Sequence, residues 1–450
     1  MVTRKIILLH FLLFILLMLA ACSANETSNN ESEDQQSEEG SDEENQSITV
    51  LVEGGSPAFT VANETADEFK EETGYEVKIE AVPYTGVYDK LKAEVASRAG
   101  AFDVATIDIL WFPALAGGLL PIGDLVTDQV ESDLFPGLIS GGTYNDEVYG
   151  MPVWTNVKNL IYRKDLFQNN ENKMAFQDKY GYELQPPQTW EEYRDVAEFF
   201  TQDTNEDGNI DMYGTTVFGA NNGDSVASWL DHAAQAGADP LVVGKNGEVL
   251  VNTEPYVESL EFLTTLLHAD QSVPAGALEM ASAETSELFW SGKSAMMLAW
   301  GHFYVPSNDP EQSDIAGNVG SAPMIAGDEG IGAVPGPWYQ VIPKSSNKPE
   351  IAKQYIQFLY EKNELYMETL GVAARKSVFE EYGEKEGYEH LQPLMTTLSG
   401  EQTQNRPKIK QWQQIESEAL IPAVQYAFSG EKTPQEALDW AAGVIEEILP

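Results

Sequence analysis

Between residues 48 and 109 the apolar pattern alternates between the period of a strand and that of a helix. That alternation constrains the fold more than any other feature of the chain. Ile48 to Val52 form a short apolar run that ends at Glu53-Gly54-Gly55. Ala62, Thr65, Ala66 and Phe69 then recur at helical spacing, and Gly74 is placed to stop that helix. Tyr75, Val77, Ile79 and Ala81 alternate with Glu76, Lys78 and Glu80, as in a half-buried strand. Val87, Leu91 and Val95 share one helix face before Gly100, and residues 102–109 return to a strand pattern. Strands alternating with helices predict a parallel sheet covered on both faces. Ligands of such sheets lie beyond the carboxyl ends of the strands, which places Glu53-Gly54-Gly55 and the segment from Asp108 to Trp111 on one rim.

The remainder is richer in helix. Thr189-Trp190-Glu191-Glu192 has the spacing of a capping box, and Tyr193, Val196, Ala197 and Phe200 form the face that follows. A second amphipathic helix lies within residues 256–268, and a third opens at Pro349. The last starts at Thr433-Pro434-Gln435-Glu436, with its stripe at Ala437, Trp440, Ala441, Val444, Ile445 and Ile448. There is no internal repeat. The expected class is mixed α/β.

At the amino end, Arg4 and Lys5 precede an apolar run from Ile6 to Leu19, broken only by His10. Leu19-Ala20-Ala21-Cys22 follows, and Cys22 is the one cysteine of the chain. This order reads as a signal peptide over residues 1–21, too short for a spanning helix with sensible flanks. The Leu-Ala-Ala-Cys tail resembles the lipobox of bacterial lipoproteins, which implies cleavage before Cys22, lipidation of its thiol and anchoring to the outer face of the cell membrane. Residues 22–47 then form an acidic tether, with no aromatic residue to support a core and disorder the expected state. A single cysteine leaves no disulfide within the chain.

The whole chain carries 72 acidic and 26 basic residues, a net charge of −46. Nine acids and two bases lie in residues 1–47, so the rest still holds 63 acids against 24 bases. That balance argues against a nucleic-acid partner. The acids are spread along the chain, as in a carboxylate shell that keeps a surface protein soluble in a saline or alkaline medium.

Several stretches together resemble the extracellular solute-binding proteins of ATP-binding-cassette sugar importers, the group that includes maltose-binding protein. Phe102-Asp103-Val104 through Asp108 and Trp111, then Gly118-Leu119-Leu120-Pro121-Ile122-Gly123-Asp124-Leu125, follow that family's pattern. Tyr149-Gly150-Met151-Pro152-Val153-Trp154, the run from Leu160 to Phe167, Gly292-Lys293-Ser294-Ala295-Met296, Trp338 to Lys344 and Arg406-Pro407 continue it in order. The resemblance implies a type II two-lobe periplasmic-binding-protein fold with three crossings, near Trp154, Trp338 and Arg375. Lobe one would comprise residues 48–153 and 338–374, and lobe two residues 154–337 and 375–450. It further implies a monomeric receptor that closes on its solute and delivers it to the transmembrane subunits of a permease, with no cofactor.

Sugars present apolar C–H faces and rings of hydroxyls, so their sites need flat aromatic platforms beside carboxylate, amide or guanidinium groups. The candidates for ligand contact are Glu53, Asp108, Trp111, Trp154, Asn156, Trp229, Asp231, Trp300, Trp338, Tyr339 and Arg375. Trp190, Trp290 and Trp440 fall within helical patterns and are expected in the core, and His302 is expected to be packed or to support a ligand contact. Arg375 has an alternative as a structural ion pair. A di- or oligosaccharide is the expected ligand, with a polyol or glycosylated osmolyte as the other choice.

Asp203, Asn205, Asp207, Gly208 and Asp211 follow the spacing of a calcium loop, but position twelve is Gly214 instead of a bidentate Glu. The competing reading is an Asx-rich turn. A secreted glycoside hydrolase would also combine aromatic platforms with two carboxylates. The chain lacks a G-x-S-x-G elbow, an H-E-x-x-H motif and a cysteine free for catalysis, so a non-enzymatic binder is the expectation.

Overall fold

The computed structural model describes residues 46–135 and 137–449. The expected signal peptide, Cys22 and nearly all of the expected tether lie outside the described residues. The expected tether ends one residue late, because Ser47 is already the first, buried residue of a strand.

The elements that position the site are numbered here in chain order. Strand β1 (Ser47–Glu53), helix α1 (Pro57–Thr73), β2 (Glu76–Val82), α2 (Tyr84–Ser97) and β3 (Val104–Asp108) realise the alternation of the first stretch. Strands β4 (Gly150–Trp154) and β5 (Lys158–Arg163) follow, then helices α3 (Trp190–Phe200), α4 (Gly223–Gln235) and α5 (Glu254–His268). Next come β6 (Met296–Trp300), β7 (Val319–Ala322), β8 (Trp338–Val341) and α6 (Pro349–Glu361). The chain ends through α7 (Lys376–Tyr382), α8 (Leu391–Leu398), α9 (Ile421–Phe428) and α10 (Pro434–Ile448).

Two sheets organise these elements. The first has the order β2-β1-β3-β8-β4, with β1 parallel to β2 and β3, while β8 runs antiparallel to both β3 and β4. The second has the order β6-β5-β7, antiparallel throughout. Residues 155–157 carry the chain from β4 of the first sheet to β5 of the second. The return is made by β8, which fills the gap between β3 and β4.

Local chemistry explains the element ends. Ser56 caps α1, with Phe59 N donating to its Oγ at 3.3 Å, and Gly74 ends that helix at φ +79°, a conformation that suits a residue without Cβ. Thr433 and Glu436 form the reciprocal cap of α10, Glu436 N donating to Thr433 Oγ1 and Thr433 N to Glu436 Oε2. At α3, Glu192 N donates to Thr189 Oγ1, but the Glu192 carboxylate accepts from Gln188 N, one residue further back than the capping box implied.

Two expectations need correction. Arg375 does not mark a crossing: it ion-pairs with Asp133 at 2.7 Å. The next helix, α7, also stays with the first sheet's core, where Phe379 packs edge-on against Phe135. The chain reaches the second sheet only at α8, whose Thr397 Oγ1 hydrogen-bonds the side-chain amide of Asn159 on β5 at 2.8 Å. Trp440 is half-buried rather than central, packed edge-on against Tyr426, while Ala437, Leu438, Ala441, Ala442 and Ile445 form the buried face of α10. Trp190 and Trp290 are likewise half-buried, donating to Gln235 Oε1 and Ser307 Oγ.

Trp229 on α4, like Trp412, is fully buried in this half, and its indole N–H donates to the Tyr256 carbonyl at 3.1 Å. Trp229→Ala should cost about 3–5 kcal/mol of stability, and Trp440→Ala roughly 1–2 kcal/mol, as read by urea unfolding. His232, one turn away, is 1 % exposed and packs against both the Trp190 and Phe262 rings, which stack on each other. Burial pushes its pKa down from 6.5 to about 4. Below pH 6.5 the unfolded chain therefore takes up a proton that the folded chain refuses, and this contribution to stability is lost as pH falls to about 4. Relative to His232→Phe, the natural protein should lose about 3 kcal/mol between pH 7 and pH 4 in parallel urea titrations.

Candidate functional site

The register of the first sheet builds one wall of a cleft. Trp338 opens β8 opposite Asp108, the last residue of β3, and opposite Trp154, the last residue of β4. Glu53 ends β1 on the same rim. Three strands that finish together, with a fourth that starts there, thus place two indoles and two carboxylates side by side. The Trp154 and Trp338 rings stack at 5.4 Å and 23°. The opposite wall comes from the second half of the chain: Asp224 at the start of α4, Trp300 at the end of β6, then His302, Phe303, Arg406 and Glu416. Together they enclose a cavity of about 620 Å³.

Polar groups inside this cavity are only partly paired. Asp108 accepts from Leu110 N at 2.9 Å and from Tyr84 Oη at 3.3 Å, and the Arg406 guanidinium lies 3.8 Å away. The Arg406 side chain is 9 % exposed, yet its Nε has no partner. Asn156 Nδ2 donates to His302 Nδ1 at 2.6 Å, which leaves the buried Asn156 Oδ1 unpartnered. Burial pushes the His302 pKa down to about 4, so its ring is neutral near pH 7 and Nδ1 is free to accept. Burial, reinforced by the Asp108 charge, raises the Glu53 pKa. Burial is also the largest cause at Glu416, where Arg406 opposes it and Asp108 adds to it. Trp300 Nε1 donates to Asp224 Oδ1 at 3.3 Å.

Of the residues expected from sequence, Glu53, Asp108, Trp154, Asn156, Trp300 and Trp338 line this cavity. Five do not. Trp229 is buried in α4, and Asp231 beside it is fully buried, paired with Lys158. Trp111 is 1 % exposed and packs behind the cleft against Tyr84, Tyr88 and Trp338. Tyr339 follows Trp338 in an extended strand and so points to the other face, where its hydroxyl donates to the Leu138 carbonyl at 2.8 Å. Arg375 borders a separate groove with Asp133 and Tyr360.

The lining residues that the sequence did not single out include Tyr84, Asp224, Arg406 and Glu416. Arg406 belongs to a stretch noted only for its family pattern, and nothing in its local sequence marks it as cleft-facing. Glu416 opens a π-helical turn, Glu416–Leu420, a distortion often found at functional sites but carrying no sequence signature here.

The Asp203 loop has its carboxylates engaged with its own backbone. Asp203 accepts from Asp207 N and Gly208 N, while Asp211 accepts from Thr204 N and Thr204 Oγ1. Among the described residues no group of three or more His, Cys, Asp or Glu side chains is arranged to hold a metal ion.

A cleft between two α/β lobes, walled by aromatic platforms and unpaired polar groups, defines a solute-binding protein. A model of the bacterial extracellular solute-binding protein family matches residues 53–364, and the chain belongs to that family. It is 25% identical over 319 residues to a probable ABC transporter-binding protein of Deinococcus radiodurans, covering 70% of this chain and 71% of that one. An arabinooligosaccharide-binding protein of Bacillus subtilis is 22% identical over 394 residues, with 81% and 83% covered. Among solved structures, maltose-bound MalE3 of T. maritima superposes with a TM-score of 0.75 at 25% identity, covering 90% of this chain and 100% of that one. A ribitol complex of an ABC transporter solute-binding protein from Agrobacterium radiobacter gives 0.74 at 25% identity, covering 90% and 98%. The two-lobe type II fold is thereby shown, and membership places the working protein outside the cytoplasm.

If the Asp203 loop holds no calcium, adding a chelator should leave the melting temperature within about a degree, because such a loop contributes no linkage stabilisation. A large drop restored by calcium alone in differential scanning fluorimetry would show that the Asp203 loop holds metal.

Proposed function

We propose that the protein is the receptor of an ATP-binding-cassette importer and that it binds a carbohydrate or polyol in this cleft. A di- or oligosaccharide is the preferred ligand, because Trp300 and Trp338, the half-buried indoles of the cleft, offer more apolar platform than one small polyol covers. The observation that carries the reading is the pairing of those indoles with Arg406 Nε, a buried donor without an acceptor, and Asn156 Oδ1, a buried acceptor without a donor. A hydroxyl both donates and accepts, and vicinal hydroxyls on an apolar ring satisfy both atoms while the ring face lies on an indole. Relatives support the class, since they include arabinooligosaccharide- and mannitol-binding proteins and complexes with maltose and ribitol. The bound receptor would then dock, as a monomer, on the transmembrane subunits of its permease. No bond is made or broken in this role, and no cofactor is required.

Both walls supply contacts, so a cognate sugar favours the closed arrangement. Calorimetry over a panel of oligosaccharides and polyols, paired with small-angle scattering, tests this: a saturating ligand should compact the protein. Trp338→Ala should weaken binding by about 1–3 kcal/mol with the fold retained. Absence of binding by every member of the panel, or binding without compaction, would overturn the receptor reading.

We further propose that Cys22 carries the lipid that holds the mature chain to the membrane. Cys22→Ala should release the protein from washed membranes without altering ligand affinity. Continued partitioning of that variant with membranes would refute the lipid anchor.

A further inference from the structure

We infer that the buried Lys158–Asp231 pair positions the Trp300 platform of the cleft, and so sets affinity without touching the ligand. The inference rests on the cleft being the binding site. Lys158 opens β5 and stands opposite Trp300 in the β5–β6 register. Both charged side chains are completely buried, with Nζ 2.8 Å from Asp231 Oδ2. The ammonium also lies 4.1 Å from the centre of the Trp300 ring. Because that ammonium has no solvent exposure, it covers the inward side of the indole, and the partly exposed remainder of the ring looks into the cavity.

Another contact holds the same ring: its N–H donates to Asp224 Oδ1, while Gly336 lies at its outer edge, where a side chain would crowd it. Asp231 links these features, because its second oxygen accepts from Val334 N at 2.7 Å, two residues before Gly336 and four before Trp338. One carboxylate therefore holds both the cation beneath Trp300 and the backbone that returns to the first sheet. A buried ion pair is a weak device for stability, since well-packed apolar residues often replace one at no loss. A cation over an indole, by contrast, restricts where that ring lies.

The test is the double substitution Lys158→Met with Asp231→Asn. It removes both charges, while the Asn oxygen can still accept from Val334 N. Full-length mature protein labelled with 15N-tryptophan is compared with the variant, the Trp300 indole signal being identified through Trp300→Phe. We expect a melting temperature within a few degrees of the natural protein, a shifted or broadened Trp300 signal and an unchanged Trp229 signal. Maltotriose, mannitol and ribitol are titrated in parallel, and any that binds the natural protein should bind the variant at least tenfold more weakly. An unchanged Trp300 signal overturns the inference, and so does an equal change at every tryptophan, which marks a general structural effect. Should the variant not fold, relaxation of the Trp300 indole in the natural protein decides: a rigid ring supports the inference and fast internal motion overturns it. If none of the three solutes binds the natural protein, the carbohydrate reading is in question while the indole signals still decide this one.

Discussion

Strand β8 returns from the second half of the chain and inserts, antiparallel, between β3 and β4 of the first sheet. The rest of the molecule depends on that insertion. Without it, β3 and β4 would each have an unsatisfied edge, and the sheet core could not close. The same register sets Trp338 beside Asp108 and Trp154, so the hydrogen-bond ladder that completes the sheet also assembles one wall of the cleft. Fold and site share one constraint, and a slip of one residue would send Trp338 to the opposite face.

The opposite wall is built by different means. Trp300 ends a strand, Asp224 starts a helix, and Arg406 and Glu416 belong to the late return segment. Gln402 and Gln404 hold that segment beside residues 331–333 through backbone bonds. Carboxylates there interact with those of the first wall, as the influence of Asp108 on Glu416 shows. In the proposed receptor role, polar groups on both walls that a single solute can satisfy give a physical reason for the walls to close on that solute.

Much of the order of elements was legible because its cues are local. Gly74 and Ser56 bound α1, the 3.6-residue spacing of Ala62, Thr65 and Phe69 aims it inward, and Thr433 with Glu436 caps α10. Glu53 and Asp108 could be assigned to one rim because strand ends in an open α/β sheet share an edge, whereas Trp154 was placed by the crossing that the family resemblance implied. The errors have equally definite causes. Trp229 and Asp231 follow a loop and look cleft-facing, but α4 is buried around its whole circumference. Tyr339 failed because adjacent strand residues face opposite ways, and Arg375 because Asp133, its partner, lies far away in sequence.

The sequence by itself determined the order of elements, the family and the rim on which the first-lobe carboxylates stand, since each follows from periodicity, capping or ordered motifs within short windows. Tertiary structure alone decided which aromatic rings see the cavity, that Arg406 and Glu416 join it, and that Lys158 is buried beneath Trp300. Those outcomes depend on contacts between segments more than a hundred residues apart. Burial and charge pairing at such range are properties of the assembled fold, and no local pattern encodes them.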